Sequence, residues 1–237
     1  MTEALSAGSA THQLPDRSAP SAPELLALIV DWGGVLTSPL PTAMAAWCAA
    51  DDIEYADFAR VVRDLRGAEG AVAAATNPVH ALERGEMEVP HFEDRLAERL
   101  RTCGGEPVPG AGLLTRMFAA FERDPGMAGV VRRARSSGLR TALLSNSWGL
   151  DYPRDDWVEL FDAVVISGEV GMRKPDQDIY YYAAAQLGVA PASCVMVDDL
   201  APNVRGAAAA GMVGVHHVAM KQTVAELESL FGRRLTD

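Results

Sequence analysis

The run 25–30, six apolar residues closed by Asp31 and the pair Gly33–Gly34, constrains this chain more than any other stretch. It is far shorter than the roughly 20 apolar residues of a membrane span. It also lacks the polar–apolar alternation of a strand with one wet face. Such a run reads as a strand buried on both sides within a parallel sheet, which needs helices above and below it. Ligands of open α/β sheets sit beyond the carboxyl ends of the strands, and Asp31 falls at such an end. The two glycines let the backbone turn sharply and approach a ligand closely. The plain alternative is a strand ending in a turn, with Asp as a turn former.

The rest of the chain decides between these. From Pro125 onward, helical and β-branched segments alternate. Helices are expected over 125–137, 154–160, 176–187, 202–210 and 223–231, several of them stopped by a glycine. Strands are expected over 139–144, 163–166, 194–197 and 213–218. This alternation implies a parallel sheet covered on both faces, and the first strand must join it to be buried. Between Pro41 and Glu122 the pattern is helical throughout, with helices expected over 42–50, 55–66, 78–84, 90–103 and 111–122. Phe92, Leu96 and Leu100 recur every four residues there, on one helix face. The expected fold is α/β: a Rossmann-like three-layer core with a parallel sheet of five or more strands, from residues 24–40 and 123–237. An α-helical cap domain, residues 41–122, is inserted into it. Residues 1–23, rich in Ala, Ser, Pro and Thr, read as a disordered tail without the basic start or apolar core of a signal peptide.

Composition narrows the partners. Lys and Arg total 21 against 32 Asp and Glu, a formal net charge of -11. That balance argues against general nucleic-acid or anionic-membrane binding. The three cysteines, Cys48, Cys103 and Cys194, have no zinc or disulfide spacing, so the cytoplasm is the expected compartment.

The residues just past the expected strand ends are Asp31, Ser145 and the pair Asp198–Asp199, with Lys174 in the loop after another strand. A parallel sheet gathers these ends at one edge. A carboxylate can serve as nucleophile, further carboxylates can bind Mg²⁺, and Lys and a hydroxyl can hold phosphoryl oxygens. This is the inventory of phosphoryl transfer.

With these residues the chain resembles the haloacid dehalogenase (HAD) superfamily of phosphohydrolases. The matching motifs are DWGGVL (residues 31–36), ALLSNS (142–147), GMRKPD with Lys174, and VMVDD followed by APNVRGAAAAGM, ending at Met212. The helical insertion resembles that family's type-one cap. The resemblance implies Asp31 as nucleophile, Ser145 and Asn146 as phosphate contacts, and Lys174 as the cation that neutralises both Asp31 and the phosphate. It implies Mg²⁺ bound by Asp31, the carbonyl of Gly33, and Asp198 or Asp199, the choice within the pair remaining open. The implied reaction is hydrolysis of a small phosphate monoester, a phosphometabolite or sugar phosphate, through an aspartyl-phosphate. One departure stands out: the family's phosphatases usually carry a second Asp two residues after the nucleophile, as general acid and base, and here that residue is Gly33. Such a group is worth about 10²–10⁴-fold in rate. A substrate with a good leaving group, a cap residue such as His80 or His91, or slow turnover would each accommodate the change. The competing functions are a phosphate-binding protein that has lost catalysis and a metal-independent dehalogenase; the latter leaves Asp198–Asp199 unexplained.

Among other residues, Trp148 is a candidate to line the leaving-group pocket. The Tyr180–Tyr181–Tyr182 run suits packing or a homodimer contact. His216–His217 reads as structural, and Arg173 as a salt-bridge former.

Overall fold

The computed structural model describes residues 23–67, 77–149 and 151–236. Most of the expected tail therefore lies outside the described residues. Five strands form one parallel sheet: β1 (Ala27–Val30), β2 (Arg140–Ser145), β3 (Ala163–Ile166), β4 (Cys194–Asp198) and β5 (Val213–His216), in the order β3-β2-β1-β4-β5. The apolar run of the sequence takes the centre, with β2 and β4 on either side. Val30 pairs with Leu143 on one side and Val197 on the other, so Asp31, Ser145 and Asp198 finish at the same edge.

Successive strand residues face opposite ways, and both faces are covered. Leu28, Val30, Leu143, Val195 and Val197 pack on one side against α6 (Pro125–Ser136) and α11 (Met220–Phe231). Ala27, Ile29, Leu144 and Met196 pack on the other against α9 (Gln177–Gln186) and α10 (Ala201–Ala209). The start of α6 is fixed by local chemistry. Asp124 Oδ1 accepts hydrogen bonds from Gly126 N (2.8 Å) and Met127 N (3.0 Å), and Pro125 opens the first turn with no N–H left unpaired. Met127, Val130, Val131 and Ala134 then recur on the buried face.

Between β1 and α6 lie α1 (Leu40–Ala50), α2 (Tyr55–Arg66), α3 (Pro78–Glu83), α4 (Val89–Ala97) and α5 (Leu113–Phe118). These helices close on an apolar cluster of their own, with Trp47, Phe58, Phe92, Leu96 and Leu113 at its centre. Among the described residues no helix is long and apolar enough to cross a membrane.

Several boundaries differ from the expected ones. The helix expected over 90–103 ends at Ala97, and the chain then turns, with Thr102 N bonded to Glu106 O (2.9 Å) and bridges joining Arg101 to Pro107 and Ile53 to Thr102. Leu100 is still fully buried, so its four-residue spacing from Leu96 reflects burial of a non-helical segment. The helices expected over 111–122 and 154–160 shrink to Leu113–Phe118 and α7 (Trp157–Leu160). The first is delayed by Gly112, whose left-handed φ of 70° precedes the helix. A one-turn helix after β3, α8 (Ser167–Val170), has no counterpart in the expected pattern.

Candidate active site

The ends of β1, β2 and β4 and the loop before α9 converge on Lys174. Its side chain is fully buried, and its ammonium reaches three oxygens: Asp198 Oδ2 at 2.6 Å, Asp31 Oδ1 at 2.9 Å and the carbonyl of Leu144 at 2.9 Å. All three ammonium donors are thereby used. Burial works against the charge, but Asp198 and Asp31 together outweigh it and hold the Lys174 pKa above its ordinary value.

Asp31 receives a second hydrogen bond on the same oxygen, from Trp32 N (2.7 Å). Among the described residues, these bonds fall on Oδ1 and leave Oδ2 available. Burial raises the Asp31 pKa well above the usual carboxylate range; Lys174 pulls it back, and Asp198 and Asp199 push it up again.

The two acids after β4, adjacent in sequence, are unlike in setting. Asp198 is completely buried, and besides Lys174 it accepts from Leu200 N (2.9 Å) and from Asn203 Nδ2 at both oxygens (3.0 and 3.1 Å). Asp199 is half-buried, and its Oδ1 is enclosed without any hydrogen-bond partner. Burial first, then the Asp198 charge, raise its pKa to about 6. Carboxylate oxygens of Asp31, Asp198 and Asp199 lie within 4.8 Å of one another. Three carboxylates against one ammonium leave a deficit of positive charge, and an enclosed oxygen without a donor is costly. A cation at this point satisfies both.

Ser145 Oγ is 3.0 Å from the hydroxyl of Tyr152. Asn146 is engaged elsewhere than expected: its amide donates to Lys174 O (2.9 Å) and accepts from Lys174 N (2.8 Å), so it pins the lysine loop to the end of β2. Both residues, with Asp31 and Gly33, line a cavity of about 780 Å³ between the sheet edge and the helical block. Trp148 lines it too, while its indole donates to Glu83 Oε1 (3.2 Å). Glu83, buried at the end of α3, also binds Arg173 Nε at 2.6 Å, which ties the helical block to the lysine loop.

The flank of Gly33 is apolar: a Cβ built there meets Leu40 Cδ2 at 3.3 Å. Of the two histidines weighed as replacement acids, His80 lines the cavity, whereas His91 is exposed and lines a separate small depression. Burial, then Arg173, lower the His80 pKa. His216 and His217 are structural, bonded to Asp199 O and Thr223 Oγ1 (2.9 Å each). Tyr180 is buried, its hydroxyl on Asn203 O (2.7 Å), while Tyr181 and Tyr182 are partly exposed.

The sequence reading passed over Asn203, Tyr152, Leu40 and the Glu83 side of its salt bridge. Asn203 carried a usable signal, being a polar residue four before Ala207 on the inward face of α10. The other three depend on tertiary packing alone.

The comparisons with known proteins bear on the family and the fold. Residues 25–211 match the model of the haloacid dehalogenase-like hydrolases. A phosphoserine phosphatase of Thermus thermophilus is 36% identical over 134 residues, 52% of this chain and 53% of that protein. A sesquiterpene phosphatase of Aspergillus oryzae is 29% identical over 155 residues, 63% of this chain and 77% of that protein. The mouse acyl-CoA dehydrogenase family member 10 is 26% identical across 87% of this chain, but the match spans 19% of that much longer protein. Among solved structures, a HAD family enzyme from Bacteroides thetaiotaomicron in complex with magnesium and inorganic phosphate superimposes with a TM-score of 0.57 at 17% identity, covering 81% of this chain and 93% of that one. A HAD-like hydrolase from Porphyromonas gingivalis does so with a TM-score of 0.59 at 20% identity, covering 90% and 100%. With a family model matching residues 25–211, most of its length, this chain belongs to the haloacid dehalogenase-like hydrolases.

Proposed function

We propose that this protein is a Mg²⁺-dependent phosphatase acting on a small phosphate monoester, with Asp31 as the phosphoryl acceptor. One observation carries the reading: Lys174 is buried between Asp31 and Asp198, while the neighbouring Asp199 keeps an enclosed oxygen without a partner. Asp31, the carbonyl of Gly33 and Asp199 are the groups that would hold Mg²⁺. Asp198 serves instead to fix Lys174, its lone pairs being taken by that ammonium, Leu200 N and Asn203. The bound ion would supply positive charge against the phosphoryl oxygens. The phosphatase relatives and the neighbour solved with magnesium and phosphate support the same reading.

Asp31 is oriented by Trp32 N and Lys174 through Oδ1, so Oδ2 is the oxygen free to attack phosphorus. The hydroxyl of Ser145 donates to a phosphoryl oxygen, and Lys174 offsets the charge that builds up during transfer. The helical block forms the cap, closing the leaving-group side and excluding water. A metal-independent dehalogenase would leave the Asp199 oxygen unexplained.

Release of inorganic phosphate from 4-nitrophenyl phosphate, with and without Mg²⁺, tests the proposal. Mg²⁺-dependent release that disappears in Asp31→Asn is expected. Equal release from the variant, or release indifferent to chelator, would overturn it.

A further inference from the structure

The side of the cavity away from the carboxylates has two features, and together they restrict the leaving group. The first is that, among the described residues, no acidic side chain stands beside the nucleophile at position 33. Position 33 is glycine, and a Cβ built there meets the apolar Leu40 Cδ2 at 3.3 Å. The cavity's histidine, His80, has its pKa lowered by burial and then by Arg173, which disfavours the protonated ring. The Tyr152 phenol, 3.0 Å from Ser145 Oγ, is made less acidic still by its burial. An ester whose oxygen must be protonated to depart is poorly served by such a site.

The second feature is the lining. Trp32, next to the nucleophile, sits in an aromatic cluster with Phe118, Phe121 and Tyr152, at ring-centroid distances of 6.0, 5.3 and 5.2 Å. All four line the cavity, and Leu40, Met44, Phe58 and Val62 of the cap complete its apolar wall. Several polar side chains that share the lining are already committed: Asn146 holds the Lys174 backbone, Glu83 holds Arg173 and Trp148, and Asn77 caps α3 and bonds Arg66 O. Arg63, Arg66 and His80 line the cavity as well. A flat apolar ring needs the surface that the aromatic cluster presents. The volume of about 780 Å³ is ample for a fused-ring group.

We propose that the substrates are phosphate monoesters of apolar phenols, the aromatic cluster receiving the ring and the leaving oxygen departing as a phenolate. This rests on the reading of Asp31 as phosphoryl acceptor. In the first step an Asp31 oxygen bonds to phosphorus, the P–O(aryl) bond breaks, and its electron pair leaves on the phenolate. In the second, water attacks the phosphorus of the aspartyl-phosphate and the P–O(Asp31) bond breaks. One proton of that water passes through solvent to the phenolate, and the products are the phenol and hydrogen phosphate.

The test compares kcat/KM, in Mg²⁺, for four probes: 1-naphthyl phosphate, O-phosphotyrosine, octyl phosphate and glycerol 3-phosphate. The naphthyl ester should exceed the octyl ester by about 100-fold or more, the low end of what a missing acid withholds from an alkoxide. It should exceed O-phosphotyrosine, a phenol ester with a polar, charged side, by about tenfold. Phe121→Ser should shrink the second ratio, and Gly33→Asp combined with Leu40→Ala should shrink the first. Octyl or glycerol phosphate turned over as well as the naphthyl ester would overturn the leaving-group assignment. O-phosphotyrosine equal to it would overturn the apolar one. The phosphatase reading survives both results. If none of the four esters releases phosphate, that reading falls, and this inference with it.

Discussion

The tightest contact at the site makes Gly34 its most sensitive position. The residue has a φ of 72°, and a Cβ added to it would lie 2.4 Å from Asp199 Oδ2 and 2.7 Å from Asp199 Cγ. An L-residue in this left-handed region costs roughly 1–2 kcal/mol. The added methyl also stands about 1 Å inside the ordinary contact distance of roughly 3.5 Å, so the Asp199 carboxylate has to move by about that much. Gly34→Ala therefore acts twice. The strain should lower the melting temperature by about 2–8 °C, at about 2–4 °C per kcal/mol for a chain of this size. The displaced carboxylate should weaken Mg²⁺ by about 10–100-fold, the usual penalty when a ligand is misaligned. Gly33→Ala is the internal control, because its Cβ meets the movable end of Leu40 and no positive φ is involved. Thermal melts with and without Mg²⁺, together with calorimetric titration of the ion, separate the two effects. A Gly34→Ala protein that melts and binds Mg²⁺ as the parent does would refute the assignment of Asp199 as the metal-facing acid.

Two further outcomes follow from charge. Asp199 has its pKa raised by burial to about 6, and Asp31 is raised as well, so without metal the folded state holds more protons than the unfolded one above the ordinary carboxylate pKa of about 4. These groups therefore subtract stability as pH rises through about 4 to 7, and because Mg²⁺ needs them ionised, its stabilising effect must grow over the same window and level off above it; melting shifts at fixed Mg²⁺ should be larger at pH 7.5 than at pH 5, and equal shifts would count against the site. Glu83→Gln should leave Arg173 without its counter-charge at 13% side-chain exposure, a loss of about 3–5 kcal/mol by urea denaturation. Arg60→Gln, which breaks an ion pair exposed by more than half on both sides, should cost under about 1 kcal/mol, and similar midpoints for the two variants would deny the Glu83 pair its role in joining cap and core.

The framework of the site was legible because it is written in short-range patterns. A fully apolar run ending in Asp31 has few places in a protein other than the middle of a parallel sheet, and β1 is there. Ser145, Lys174 and Asp198 follow once the sheet is parallel, because all its strands end at one edge. Helix lengths in the cap were less legible. Leu100 keeps helical spacing while lying outside any helix, since a small apolar cluster recruits side chains from whatever backbone is near. The division of labour between Asp198 and Asp199 was not legible at all. Two adjacent identical residues give no sequence clue, and what separates them is the pleat. The last strand residue faces Lys174 and Asn203, and the next one does not share those partners.

Leu40 shows the same limit at the point where it matters most for chemistry. The motif reading placed a glycine where an acid is usual and left open whether another polar group takes its place. The sequence pattern starts the first helix of the inserted block at 42, which leaves Leu40 outside it. In the structure the helix begins at Leu40 itself, with Pro41 in its first turn, and this brings the side chain back over Gly33. The glycine at position 33 and the apolar residue seven places later thus meet at one point of the cavity wall, and neither side chain offers a proton donor. The proton donor missing at position 33 bears on both steps of the proposed reaction, departure of the ester oxygen and activation of the attacking water, and only the first depends on the leaving group. A phenolate departs without an acid more readily than an alkoxide, so Gly33→Asp with Leu40→Ala is the comparison that separates a retuned catalyst from a relic that only binds phosphate.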